Sequence, residues 1–289
     1  MSCIDKKKLA ELVRFSLHED IGVGDITTEV GVGEEVKAVA KLISKQGIIV
    51  AGLPVVKEVF SQLDSSLVVK IIKDDGSAVA KGECFAIIEG KAKRLLEGER
   101  LALNFMQRLS AVATLTAKYV EAVKGTKAVI LDTRKTTPGL RFLEKYAVTV
   151  GGGTNHRYGL YDQFLFKDNH IASSMQNFKA DIKNIIDKAR QYKPGALVEV
   201  EVDTLAQLKD VIPANPDIIL LDNFSLEDTR TAVAMKPDNI LFEASGGITL
   251  ESVSEIARCG VDRISVGALT HSAGAVDISM DIELCQIKN

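Results

Sequence analysis

The chain has 289 residues, 46% hydrophobic and 26% charged, with a net charge of −3. That composition excludes a disordered or fibrous polymer, and the length is ample for one large α/β barrel or for two domains with a real core. The slightly acidic balance excludes the wide positive field that a general nucleic-acid or membrane binder carries.

Asp5 is placed to cap a first helix whose apolar face is Leu9, Leu12, Val13 and Leu17, ending near Asp20. The acidic, glycine-rich loop from Glu19 to Thr27 reads as a turn leading into a strand, with cation binding the less favoured alternative. Alternation at Val36, Ala38, Ala40 and Leu42 predicts a half-buried strand. A second strand is expected over 47–52, then a helix opened by Pro54, then strands over 67–73 and 84–89. Residues 92–123 are helix formers, with Gly98 a weak point and Ser110 a candidate cap for a second segment. This stretch looks like a bridge between domains.

Beyond Gly125 the rhythm changes to short β-rich runs, each followed by a polar residue or glycine and a helical run: 128–131, 163–166, 197–202, 217–221, 240–244 and 263–266. Thr204, Ser225 and Thr249 stand where the intervening helices would start. Repeated strand-helix units mean a parallel sheet, and closing them gives an α/β barrel. Six strands are clear and 147–150 is either a seventh or the end of a helix, so the barrel is expected to be incomplete. Residues 276–283 alternate like a half-exposed strand, which does not suit a buried parallel barrel and is expected to return to the first domain. The expected organisation is an α+β N-terminal domain over 1–110, completed by 271–289, and a barrel over 111–270.

No apolar run approaches a membrane span, and the amino terminus has helical spacing rather than a signal-peptide block. Cys3, Cys84, Cys259 and Cys285 form no Cys-x-x-Cys pair, which favours a reducing cytoplasm over a disulfide framework or a structural zinc site.

Candidate chemistry concentrates between Asp132 and His170, where Arg134, Lys135, His156, Arg157 and Lys167 are threaded among glycines, threonines and asparagines. Such local basic density points to a concave site for a small polyanion, the alternative being a solvated charged loop. In a barrel, chemistry sits where strands end. Asp132 to Lys135, Lys167 to His170, Asp222, Ser245-Gly246-Gly247 and Gly267 all follow strand runs. Glu199, Glu201 and Asp203 lie two apart on one predicted strand and so on one face, where they need cations, a polar ligand or paired Lys and Arg residues. The glycines at 246, 247 and 267 offer backbone N–H groups at strand-to-helix turns, a geometry that holds phosphate, with His271 nearby.

In order along the chain, these motifs make it resemble quinolinate phosphoribosyltransferases. They are Glu19-Asp20-x-Gly-x-Gly-Asp25, Gly98-Glu99-Arg100-x-Ala-Leu-Asn104, the run from Asp132 to Gly139, Asn155-His156-Arg157, Lys167-Asp168-Asn169-His170, residues 198–203 and 220–223, Ser245-Gly246-Gly247 and residues 266–270. The resemblance implies transfer of phosphoribose from phosphoribosyl pyrophosphate to quinolinate, with magnesium required. Products would be nicotinate mononucleotide, pyrophosphate and carbon dioxide, a step of de novo NAD biosynthesis.

By the same resemblance, Arg134, His156, Arg157 and Lys167 would hold the two carboxylates of quinolinate, with Lys135 beside them. Lys135, Lys167, Glu201 and Asp222 would serve catalysis. Glu201 and Asp222 would also face the ribose and its magnesium, directly or through water. Ser245, Gly246, Gly247, Gly267 and His271 would surround the 5′-phosphate. Arg100 would reach a neighbouring subunit's site, implying a homodimer, or a hexamer built from dimers. The residues leave open a nicotinate phosphoribosyltransferase, a molybdenum-operon relative, a phosphosugar isomerase or flavin enzyme on a similar barrel, and a ligand sensor that keeps the pocket.

Overall fold

The computed structural model describes residues 4–167 and 178–285. The elements begin with α1 (Lys6–Ile21), α2 (Ile26–Gly31), β1 (Lys37–Ser44), β2 (Ile48–Ile49), α3 (Leu53–Leu63), β3 (Val68–Ile71), β4 (Ala78–Val79), β5 (Cys84–Lys91) and α4 (Ala92–Ala122). They continue with β6 (Val129–Leu131), α5 (Arg141–Val150), β7 (Phe164–Phe166), α6 (Phe178–Tyr192), β8 (Val198–Val202), α7 (Leu205–Val211) and β9 (Ile218–Asp222). Last come α8 (Leu226–Ala234), β10 (Leu241–Ser245), α9 (Val253–Arg258), β11 (Arg263–Ser265), α10 (Ala268–His271) and β12 (Ile278–Leu284). Two compact units emerge: Met1–Ala117 with Thr137–Gly152 and Ser272–Asn289, and Lys118–Thr136 with Gly153–His271.

In the first unit, Asp5 caps α1 by accepting from the Lys7 and Lys8 N–H groups, and Leu9, Val13 and Leu17 are buried. The loop after α1 does not lead straight into a strand. Asp25 accepts from the N–H groups of Thr27 and Thr28 and so starts α2, a single short helix. An antiparallel sheet in the order β12-β1-β5-β3 follows the alternation in the sequence, with Ala38, Ala40 and Leu42 buried. The carboxy-terminal strand pairs with β1, setting Met280 opposite Leu42. The strand expected over 47–52 shrinks to β2, paired only with β4.

α4 is one unbroken helix of 31 residues. Ser110 does not start a second segment; its hydroxyl is buried and bonded to the N–H and carbonyl of Ala51. Gly98 is required by packing, because a Cβ there would meet a ring carbon of Phe60 at 2.6 Å. Residues 137–152 group with this unit. Glu144, fully buried on α5, accepts from Arg108 Nη2 at 2.8 Å and from the Thr137 N–H at 3.0 Å. The Tyr146 hydroxyl donates to Asp75 at 2.6 Å.

Among the described residues the second unit holds six strands in the order β6-β11-β10-β9-β8-β7, every neighbouring pair parallel. β6 and β7 are its edges, so this is an incomplete α/β barrel of six strands rather than a closed one. Residues 147–150 are the last turn of α5, not a seventh strand. The segment after Gly153 runs beside β6, with Thr154 bridged to Leu131, and this carries His156 to the end of that strand. Thr204 forms a capping box with Gln207, and Ser225 accepts from the Asp228 N–H. Thr249 does not cap a helix: its own N–H donates to Ser252, and α9 begins only at Val253. Among the described residues no helix is long and apolar enough to cross a membrane.

Candidate active site

A cavity of about 650 Å³ opens at the carboxyl ends of the parallel strands of the second unit. Its walls follow strand by strand. After β6 come Arg134 and Lys135; after β7, Lys167; near the end of β8, Glu201. Asp222 ends β9, Ser245 ends β10 with Gly246 and Gly247 following, and Gly267 follows β11. His156, Arg157 and His271 also line it. Arg100, expected to serve a neighbouring subunit's site, is not among the lining residues and is exposed on α4. Asp168, Asn169 and His170 lie outside the described residues.

The electrostatics divide the cavity. Burial, and next the charge of Arg134, lower the hold of Arg157 on its proton. An arginine stays ionised even so, and two guanidiniums that repel one another gain from an anion placed between them. Lys167 Nζ lies 2.5 Å from Glu201 Oε2, the acid nearly buried and the lysine partly exposed. On the glycine side, Asn223 adopts φ 55° and its N–H donates to the Ser245 carbonyl at 2.9 Å. This crosses the β9 and β10 loops so closely that a Cβ on Gly246 would fall 2.2 Å from Asn223 Oδ1. With φ +93° at Gly246, that position needs glycine twice over. Lys135 and His271 both approach Gly267, and the Lys135 carbonyl accepts from Thr270 Oγ1 at 2.7 Å.

Beneath the cationic corner lies a cluster only partly legible in the sequence. Glu199 does face inward, but it is fully buried and takes no part in the cavity wall. Asp203 lies beyond the end of β8 in the turn before α7, so the three acids do not share one strand face. Glu243 on β10 and Arg263 on β11 went unnoticed. Their signal was a lone acid inside an apolar strand run and a lone base at the start of another. His156 Nε2 stands 3.2 Å from Glu199 Oε2 and 3.3 Å from Glu243 Oε1. Burial works to lower the imidazole's pKa, and these two carboxylates work to raise it. Glu199 is pushed up, first by burial and next by the charge of Glu243. Burial works to raise Glu243 as well, but His156 and Arg263 outweigh it and hold it low. The Arg157 N–H donates to Nδ1 at 2.7 Å, which excludes a proton on that nitrogen. The ring is therefore in its neutral form with the proton on Nε2, facing the two carboxylates.

Family models for quinolinate phosphoribosyl transferase match the chain over residues 25–110, the N-terminal domain, and 112–281, the C-terminal domain. The chain belongs to the quinolinate phosphoribosyltransferase family. It is 45% identical over 278 residues to a probable nicotinate-nucleotide pyrophosphorylase (carboxylating) of Bacillus subtilis, covering 96% of this chain and 94% of that one. The chloroplastic nicotinate-nucleotide pyrophosphorylase (carboxylating) of Arabidopsis thaliana is 39% identical over 95% of this chain and 83% of its own. The solved nicotinate-nucleotide pyrophosphorylase of Francisella tularensis superposes with a TM-score of 0.92 at 39% identity, covering 97% of this chain and 98% of that one. As a quinolinate phosphoribosyltransferase the protein is an enzyme of the glycosyltransferase class, acting in NAD biosynthesis.

Proposed function

We infer that the cavity joins quinolinate to phosphoribosyl pyrophosphate, giving nicotinate mononucleotide, pyrophosphate and carbon dioxide. The observation that carries this reading is the gathering of Arg134, Lys135, Arg157 and Lys167 on one cavity that also holds Glu201 and Asp222. Four cations suit a planar dicarboxylate, which arginine forks bind in bidentate fashion; a monocarboxylate would not need them all. The 5′-phosphate belongs on the glycine side, where the N–H groups of Gly246, Gly247 and Gly267 are supported by Lys135 and His271.

In the first step the ring nitrogen's lone pair bonds to the ribose anomeric carbon as pyrophosphate leaves with the electron pair of the broken C–O bond. Glu201 and Asp222 place negative charge beside the oxocarbenium-like carbon that forms. In the second step the bond to the carboxylate next to the ring nitrogen breaks, releasing carbon dioxide, and the electron pair left on the ring carbon takes a proton. The positive ring nitrogen stabilises that pair. Lys167, freed from Glu201 when a carboxylate takes the acid's place, holds its charge against the acceptor.

Magnesium fits the donor set, since Glu201 and Asp222 supply hard oxygen ligands and the ion commonly binds one or two carboxylates together with substrate phosphates. Bound there, it would neutralise the leaving pyrophosphate. We further propose a homodimer in which Arg100 serves the neighbouring site; the exposure of Arg100 on α4, and of Val23, Ile26 and Val30 in and just before α2, supports it. A reducing cytoplasm suits the free thiols of Cys84, Cys259 and Cys285.

The test mixes purified protein with quinolinate, phosphoribosyl pyrophosphate and magnesium and follows carbon dioxide and nicotinate mononucleotide. Turnover of nicotinate but not quinolinate would overturn the reading. Arg134→Ala should raise the KM for quinolinate far more than that for phosphoribosyl pyrophosphate. Inactive Arg100→Ala mixed with inactive Lys167→Ala should regain activity if sites are shared between chains.

A further inference from the structure

The buried cluster under the cationic corner takes no part in the steps above, yet it is built with care. Glu199 and Glu243 are both fully buried. Each is held on its far side: Gln163 Nε2 donates to Glu199 Oε2 at 2.6 Å, and Arg263 Nε donates to Glu243 Oε2 at 2.6 Å. The parallel register explains the second contact, since Glu243 and Arg263 are partners across β10 and β11. Between the two acids stands His156 Nε2. The opposite side of the ring accepts the Arg157 N–H at Nδ1, and the His156 N–H itself donates to the buried Asp132 carboxylate at 2.8 Å.

His156, Glu199 and Glu243 offer ligand atoms within 4.8 Å of one another, a spacing compatible with a metal ion. Proton placement argues against that use. With a donor at Nδ1 the ring keeps its lone pair there, so Nε2 carries the proton and has none to give a metal. Arg263 also occupies Glu243. The cluster is a frame of hydrogen bonds and charges rather than a metal centre.

We propose that Glu199 and Glu243 are positioning residues for the acceptor half of the site: they fix the His156 ring from the core, and the ring fixes the main chain of Arg157. The direction in which Arg157 enters the cavity is thereby set by residues that never touch the substrate. In a water-poor interior such a chain of contacts resists reorientation, because any turned ring leaves a buried polar group without its partner. The inference rests on the reading of Arg157 as a carboxylate-binding residue.

The two acids differ in a way that makes the frame testable. On Glu199 the contacts converge on Oε2, while Oε1 has no hydrogen-bond partner. A glutamine there can put its carbonyl oxygen in the place of Oε2 and its amide in the vacant one. Glu243 uses both oxygens, Oε2 for Arg263 and Oε1 facing Nε2 without an aligned hydrogen bond, so that its hold on the ring is electrostatic. A glutamine at 243 sets its NH₂ against one donor or the other and also removes the charge.

Glu243→Gln and Glu199→Leu should therefore raise the KM for quinolinate about tenfold or more, the loss of one charge-assisted contact, with the KM for phosphoribosyl pyrophosphate changed less than about twofold. Glu199→Gln should restore near wild-type behaviour. Nitrogen-15 NMR of histidine-labelled protein, with His156 assigned through His156→Asn, should show a proton on Nε2 and none on Nδ1. That signature should persist in Glu199→Gln and change in Glu243→Gln. If Glu199→Leu fails to fold, the contrast between the two glutamine variants decides. Equal rises in both KM values, glutamine variants that behave alike, or a wild-type His156 protonated on Nδ1 would overturn the proposal. Should the protein not turn over quinolinate at all, the proposed function falls, while the NMR comparison still tests the frame.

Discussion

Glu199 and Glu201 stand two residues apart on β8, yet one is fully buried and the other forms part of a cavity wall. Around the first, water is excluded and the contacts are made inside the sheet, His156 to Glu199 and Arg263 to the neighbouring Glu243. Around the second, Lys167 is 42% exposed and free to change partners. The same residue type thus does opposite work according to depth along one strand. A buried ion pair is expensive to break and serves shape, whereas a rim pair is cheap to break and serves exchange with ligand.

The largest expected effect breaks the buried side of this comparison. Glu243→Ala leaves Arg263 without its carboxylate and His156 with only one of its two, and should cost about 3–5 kcal/mol of stability in urea unfolding. If that loss stays below about 1 kcal/mol, the cluster is not the rigid side of the molecule.

Gly246→Ala falls in between. It forces a Cβ against Asn223 at positive φ and should cost about 1–3 kcal/mol while raising the KM for phosphoribosyl pyrophosphate rather than quinolinate. The smallest effect on stability belongs to the rim. Lys167→Ala should shift the unfolding midpoint by less than about 1 kcal/mol, yet lower kcat/KM by roughly a hundredfold through loss of a charged contact to the acceptor. A large loss of stability in Lys167→Ala would erase the distinction between the two carboxylates.

Much of the cavity was readable because barrel chemistry gathers at strand ends, and residues such as Lys167, Asp222 and Ser245 announce themselves by closing apolar runs. The six strand runs were readable for the same reason. Other features depended on partners far along the chain. Ser110 looked like a helix cap because serines favour that role, but its hydroxyl was already committed to Ala51, a contact no local pattern reveals. Residues 137–152 look like barrel sequence by position, yet they group with the first unit, where Glu144 bonds to Arg108 and Tyr146 to Asp75. Glu243 was hidden in an apolar strand because a buried charge makes sense only with its counter-charges in view.

By itself the sequence determined the alternation of elements, the incomplete parallel barrel, the family and the basic character of one side of the cavity. These follow from periodicity and from residue types at strand ends, which are local properties. The depth of each charge was decided by tertiary structure alone. Whether a glutamate on β8 faces ligand or locks a histidine depends on strand register and on which neighbours displace water, and neither is a property of the residue's own stretch of chain.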